Sequence, residues 1–128
     1  MPPSSTLPIV KMGEIYYVRE KHIDAQGHEQ KCDRPYVIVS SAEFNAQTAV
    51  GVPLTTAIHK ARAHRLKIQL AFMVKNPSCT RNLSDSVALT DHIRVLDVTR
   101  LERPPMGHLN KVAIGGLQSA LSLIFDIL

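Results

Sequence analysis

One long stretch of this chain keeps a helical rhythm, and it comes last. From His108 to Leu128, the residues Leu109, Val112, Ala113, Leu117, Ala120, Leu121, Ile124 and Leu128 recur at spacings of three and four. What precedes it is cut into short runs of another kind. Within Lys11 to Arg19, Ile15 and Tyr17 share one side while Tyr16 and Val18 share the other. Tyr36 to Val39 is apolar on both sides, Val50, Val52 and Leu54 alternate, and Leu66, Ile68 and Leu70 fall in phase within Leu66 to Val74. Val87, Leu89, Asp91, Ile93 and Val95 share a phase if the chain stays extended there, which places Asp91 at the rim of an apolar row and His92 on the opposite side. Short, closely spaced strands followed by one helix predict a mainly β fold, an antiparallel sheet curled into a small barrel.

Punctuation fits this outline. Pro53 implies an edge position or a bulge in the third strand, Ala42 to Gln47 reads as a helical turn, and Pro104-Pro105 is expected to end the strand region. Gly115-Gly116 inside the helix costs about 1 kcal/mol per glycine relative to alanine, so a close backbone approach or a kink is expected. Leu123, Phe125 and Ile127 widen the apolar stripe of the helix beyond what one sheet covers, which leaves a face for a second copy of the chain.

A chain of 128 residues has room for one modest domain, 11–128, behind a frayed tail, 1–10. Two cysteines, Cys32 and Cys79, make no disulfide framework and lack zinc spacing, so a reducing cytoplasm suits them. No apolar run approaches the ~18–20 residues of a membrane span, and the start lacks the pattern of a signal peptide. The net charge of +4 is unevenly placed. Between Glu43 and Asp85 no acidic residue occurs, while Lys60, Arg62, Arg65, Lys67, Lys75 and Arg81 do, with His59 and His64. A field of this kind suits a polyanion; a solvated basic surface is the plainer alternative.

The chemistry concentrates between Gly27 and Asn45. Glu20 to Asp33 is a polar loop, long enough to suggest function, and it carries Gly27-His28-Glu29-Gln30 before emptying into the strand that opens Arg34-Pro35. A histidine, a glutamate and an arginine at one strand end are candidates for charge chemistry on an anion. Arg34 offers a planar, permanently charged fork that suits phosphate oxygens, although a surface pair with Asp33 or Glu29 would explain it too. By strand phase, Thr55 faces away from the Val50, Val52 and Leu54 row, a placement that also fits an ordinary β-branched strand residue.

In order and spacing, Gly13-Glu14-Ile15, the Gly27 to Gln30 loop, Arg34-Pro35, Val52-Pro53-Leu54-Thr55-Thr56, Val87 to Asp97 and Arg100-Leu101-Glu102-Arg103 resemble the MazF/PemK toxins of toxin–antitoxin systems. The resemblance runs from Lys11 to the C-terminus, and the loop is similar to that of the Kid branch. It implies an SH3-like barrel of the MazF and CcdB type, usually a homodimer. It further implies a cytoplasmic endoribonuclease that cuts single-stranded RNA without a metal or other cofactor, and an acidic, partly disordered antitoxin as partner.

The resemblance assigns roles. Arg34 and Thr55 would hold charge on the phosphorane. Asp91 matches the general base of the Kid branch, and partial desolvation would raise its pKa; a turn or capping aspartate is the alternative. His28 matches a loop histidine that stabilises the transition state there, although an exposed loop histidine is more often inert. Leu89 stands where the Kid branch has a catalytic arginine, so either Arg34 or His28 would act as the acid or activity would be weak, and Arg94 lies on the other side of an ideal strand. Lys60, Arg62 and Arg65 would bind RNA, with Gln30 reading a base edge. No row of exposed aromatics is available for base stacking, and no Gly-rich phosphate loop or metal-ligand cluster is visible. The rival readings are a CcdB-like inhibitor of DNA gyrase, for which the end Phe125 to Leu128 lacks the expected tryptophan, and an inactive barrel that binds RNA.

Overall fold

The computed structural model describes residues 8–19, 33–61 and 65–125. Among them run β1 (Glu14–Val18), β2 (Arg34–Ile38), β3 (Thr48–Thr55), β4 (Leu66–Ile68), β5 (Met73–Lys75), β6 (Ser86–Ala88), β7 (Arg94–Asp97), β8 (Leu101–Leu109) and a helix, α1 (Lys111–Phe125). The strands form one curled antiparallel sheet in the order β4-β6-β3-β2-β1-β8-β5, with β7 also paired to β3. The fold is mainly β, as its short apolar runs predict.

The two-sided apolar pattern of β1 and β2 has a direct cause: the sheet is covered on both faces. Ile15, Val37, Val52, Leu54, Ile68 and Ala88 form one core, closed by Ala113 and Leu117 of α1. Tyr16, Val18, Tyr36, Ile38, Ala49, Leu96 and Leu101 form a second core on the other face, with Val10 and Val98 against it. Alternate residues of each strand therefore feed separate cores.

Several boundaries differ from the sequence reading, each for a local reason. The run Leu66 to Val74 is two strands rather than one, split by a 3-10 turn at Leu70–Phe72; the Leu70 N–H donates to Asp85 Oδ1 at 2.7 Å instead of to a ladder. β4 pairs with β6, whereas β5 pairs with β8. Pro104-Pro105 lies inside β8 instead of ending it, and the Arg103–Pro104 peptide is cis. The β1–β8 ladder slips between Ile15 and Tyr17, so the prolines fall where no N–H is required. Pro53 is similarly placed, in the gap on the β3 edge between Gly51, the last partner of β7, and Leu54, the first of β6. The helix begins at Lys111, because Asn110 caps it: Asn110 Oδ1 accepts the Ala113 N–H at 2.9 Å. His108 belongs to β8. The bend at Ser41–Asn45 closes with Asn45 N–H donating to the Ser41 carbonyl at 3.0 Å.

Two glycines make opposite predictions. A Cβ at Gly107 would run into the Val74 carbonyl oxygen, where β5 and β8 meet, whereas a Cβ at Gly115 would meet nothing within 4 Å. Gly107→Ala should therefore destabilise the fold by about 1–3 kcal/mol through overpacking. Gly115→Ala should stabilise it by about 0.5–1 kcal/mol through helix propensity. Thermal unfolding of both variants checks the pair of signs.

Candidate active site

Arg34 opens β2 opposite Val18 of β1. Antiparallel pairing of Tyr36 with Pro53 and Val37 with Val52 sets the register, which, continued two residues past its last pair, would put Arg34 opposite Thr55, the last residue of β3. Both residues are in phase with Tyr36 and Gly51 and project to the face of the second core. The Nε and Nη1 atoms of Arg34 are buried and have no hydrogen-bond partner. Buried donors without an acceptor are costly, and an anion meeting them would relieve that cost. Thr55 Oγ1 accepts the Ala57 N–H at 3.2 Å, which leaves its own proton to donate.

Two further groups border this position. Tyr36 is fully buried, and burial pushes its hydroxyl up to about 12 despite the opposing charge of Arg34. The Tyr36 oxygen accepts from Arg94 Nη1 at 3.2 Å. Burial, with the charge of Arg100, lowers the Arg94 pKa from the usual arginine range. The sequence signal for Tyr36 was its i+2 relation to Arg34. Arg94 was misplaced because the chain is not straight: a 3-10 turn at Thr90–His92 separates β6 from β7 and turns Arg94 toward Tyr36.

That turn also changes Asp91. Its carboxylate accepts from Arg65 Nε and Nη2, both at 2.7 Å, and Arg65 Nη1 donates to the Lys60 carbonyl at 3.3 Å. The hydrogen bonds from Arg65 outweigh desolvation and hold the Asp91 pKa down to about 2. The expected upward shift is thus reversed, and Asp91 is a weaker base than a free aspartate. The Arg65 side chain is only 6% exposed, turned inward onto Asp91 rather than outward toward a ligand. His92 Nε2 lies 3.8 Å from the same carboxylate, not on the opposite side of a strand. Lys60 is exposed in the 3-10 turn Ile58–Lys60. Leu89 is buried at 1% exposure, so the position of the missing arginine is a core position here. His28, Gln30 and Arg62 lie outside the described residues.

On the other face of the same sheet end lies an open groove of about 600 Å³, lined by Tyr17, Arg19, Pro35, Arg81, Asn82 and Glu102 among others. Arg81 lies over the Tyr17 ring at 3.5 Å, and Glu102 pairs with both Arg81 and Arg19. Among the described residues, no cluster of three or more His, Cys, Asp or Glu is arranged to hold a metal ion. Nor is any described helix long and apolar enough to cross a membrane.

A curled antiparallel sheet with one C-terminal helix, carrying at a strand end an arginine with two buried N–H groups left without a partner, defines a small β protein able to take an anion there. The chain belongs to the PemK-like, MazF-like toxins of type II toxin–antitoxin systems, whose family model matches residues 11–125. Its fold is MazF-like. It is similar to MazF from Deinococcus radiodurans, with 22% identity, 93% of this chain and 98% of that chain covered, and a TM-score of 0.64. It is also similar to an endoribonuclease from a mycobacterial species, at 19% identity, 94% and 95% coverage and a TM-score of 0.66. A third likeness is to a mycobacterial endoribonuclease in complex with its cognate antitoxin, at 19% identity, 93% and 97% coverage and a TM-score of 0.62. Among curated proteins, none matches the chain in sequence.

The Arg65–Asp91 pair has a measurable signature. Asp91→Asn should cost about 1.5–3 kcal/mol near neutral pH, the range for hydrogen bonds to charged groups. Because the folded pKa is depressed from 3.8 to about 2, the stabilisation is present above pH 4 and fades as pH falls toward 2. The difference in unfolding free energy between wild type and Asp91→Asn should therefore shrink across that window, as chemical denaturation at stepped pH will read.

Proposed function

We propose that this chain is an endoribonuclease toxin that cuts single-stranded RNA, mRNA above all, without a metal cofactor. One observation carries the reading: Arg34, partly buried, has two buried N–H groups without a partner, and the β2–β3 register, continued by two residues, sets it opposite the hydroxyl donor Thr55. In this scheme the ribose 2′-oxygen attacks the adjacent phosphorus and loses its proton. Arg34 and Thr55 donate to the oxygens on which negative charge grows, and the 5′-oxygen leaves with a proton. The products are a 2′,3′-cyclic phosphate and a 5′-hydroxyl. Donors aimed at developing charge account for roughly 10²–10³-fold each.

The proton carriers follow from the charges. Asp91, committed to Arg65, serves better as a clamp than as a base. It holds the basic connection that starts two residues after Thr55. Proton transfer then falls to His28, since histidine is the residue type suited to moving protons near neutral pH. Lys60 and Arg62 attract the RNA backbone, and Gln30 reads a base edge. Val112 and Leu123 share one exposed side of α1 and Phe125 is exposed on another, and this uncovered apolar surface suits a homodimer. An acidic antitoxin segment neutralises the toxin in the cytoplasm, in keeping with the mycobacterial relative solved with its antitoxin.

A second reading, an inactive barrel that binds RNA without cutting it, draws on two observations: Leu89 is buried where the Kid branch has an arginine, and Asp91 is locked in an ion pair. Incubation with mixed single-stranded RNA in EDTA separates the two. Cleavage leaving cyclic-phosphate ends is expected, with kcat falling about 10²–10³-fold in Arg34→Ala and about 10²-fold in Thr55→Val. RNA that is bound but left intact, with no growth arrest on expression, selects the inactive barrel. Gyrase inhibition that survives Arg34→Ala would select a gyrase poison instead.

A further inference from the structure

The groove on the opposite face from Arg34 has the chemistry of a nucleobase platform. The Arg81 guanidinium carbon sits 3.5 Å from the Tyr17 ring centroid, so one face of the cation is stacked on the ring. Glu102 fixes it in place, accepting from Arg81 Nε and from Arg81 Nη2 at 3.1 Å. The same carboxylate accepts from Arg19 Nε at 3.2 Å and Nη2 at 3.0 Å, which leaves Nη1 of each arginine outside the pairing. The Arg81 side chain remains 32% exposed and lines the groove of about 600 Å³. Two arginines against one carboxylate give the groove a net positive charge, and Asn82 adds an amide with both donors and an acceptor. The groove shares the start of β2 with the candidate site, on the other face of the sheet. Pro35, in its wall, follows Arg34 directly, and Tyr17 pairs with Pro35 as Val18 pairs with Arg34.

We propose that this groove binds a nucleobase flanking the phosphodiester held at Arg34, the base stacking on the outer face of Arg81 with Asn82 at its edge. This rests on the reading of single-stranded RNA as substrate. Stacking on a guanidinium plane is a recurrent way of holding an unpaired base. Here it takes the place of the exposed aromatic row that the sequence lacks, since Tyr17 backs the arginine instead of meeting the base itself. The carboxylate that fixes Arg81 also limits its charge, so the groove is suited to a base more than to a bare phosphate.

The test compares binding of two labelled strands: a 2′-O-methyl RNA 12-mer of randomised sequence, which cannot be cleaved, and an abasic 12-mer with the same phosphates. The wild type should bind the base-bearing strand at least about fivefold more tightly, the lower end for one stacked base. Arg81→Lys keeps the charge and an ion pair to Glu102 but not the plane. It should narrow that gap about fivefold while leaving the salt dependence unchanged, and Arg81→Ala should narrow it equally. Equal binding of both strands by the wild type overturns the inference, and so does a gap that Arg81→Lys preserves. An unchanged gap with weakened binding of a poly-glutamate peptide in Arg81→Lys would assign the groove to a protein partner. Because the strand is not cut, a nuclease that cleaves without the gap fails this inference alone. A gap without cleavage of ordinary RNA fails only the nuclease reading.

Discussion

One edge of β3 is shared by two strands in a single run of chain, and the step between them governs the sheet end. β7 pairs Arg94 with Gly51, and β6 pairs Ala88 with Leu54. Six positions on the β6–β7 side (94 − 88) therefore span three on β3 (54 − 51), and the excess of three is the turn Thr90–His92. An odd excess exchanges the two faces of a strand. In an uninterrupted ladder Asp91 would have stood opposite Gly51, on the face of Arg34 and Thr55. Arg94 takes that position instead, and Asp91 is carried out to meet Arg65.

The same step brings Asp91 to Arg65, while a separate pairing, with Glu102 of β8, holds Arg81. Arg65 and Arg81 are each held by a carboxylate, Asp91 and Glu102, through two N–H groups. Such forked pairs set the plane of a guanidinium as well as its place. Arg94 reaches a neutral phenol, Tyr36, instead, because burial keeps that hydroxyl protonated. Arg34 differs from these held arginines in keeping two buried donors, Nε and Nη1, without an acceptor.

What the chain disclosed beforehand follows the range of the interactions. The helix was legible because Leu109, Ala113, Leu117 and Ala120 repeat within it, although its start at Lys111 depended on one cap, Asn110. Arg34 and Thr55 were legible through strand phase and resemblance, and their facing positions follow from the β2–β3 register. The turn at Thr90–His92 was not, since Thr-Asp-His carries neither glycine nor proline to announce it. Pairings made across the sheet left no local trace. Arg65 with Asp91 and Arg81 with Tyr17 join elements that only the curled sheet brings together. Pro104-Pro105 misled in the other direction: a strand can hold prolines where its ladder is already broken.

The unmatched arginine has an energetic consequence for how an anion would bind. Desolvation of Arg34 is incurred when β1, β2 and β3 close, not when a ligand enters. The folding free energy of two apolar cores sustains it. A phosphate oxygen arriving there gives up its own hydration but does not have to strip or reorient the guanidinium, so much of the cost of charge recognition is already met. Were the charge on that oxygen to grow during a reaction, the gain would grow with it, because a fixed donor does not reorganise as water would. On the nuclease reading, a site arranged in this way would favour the more highly charged phosphorane over the phosphodiester, which is the condition for catalysis as distinct from binding. The Thr55 hydroxyl, held by the Ala57 N–H at the facing strand end, belongs to the same rigid frame.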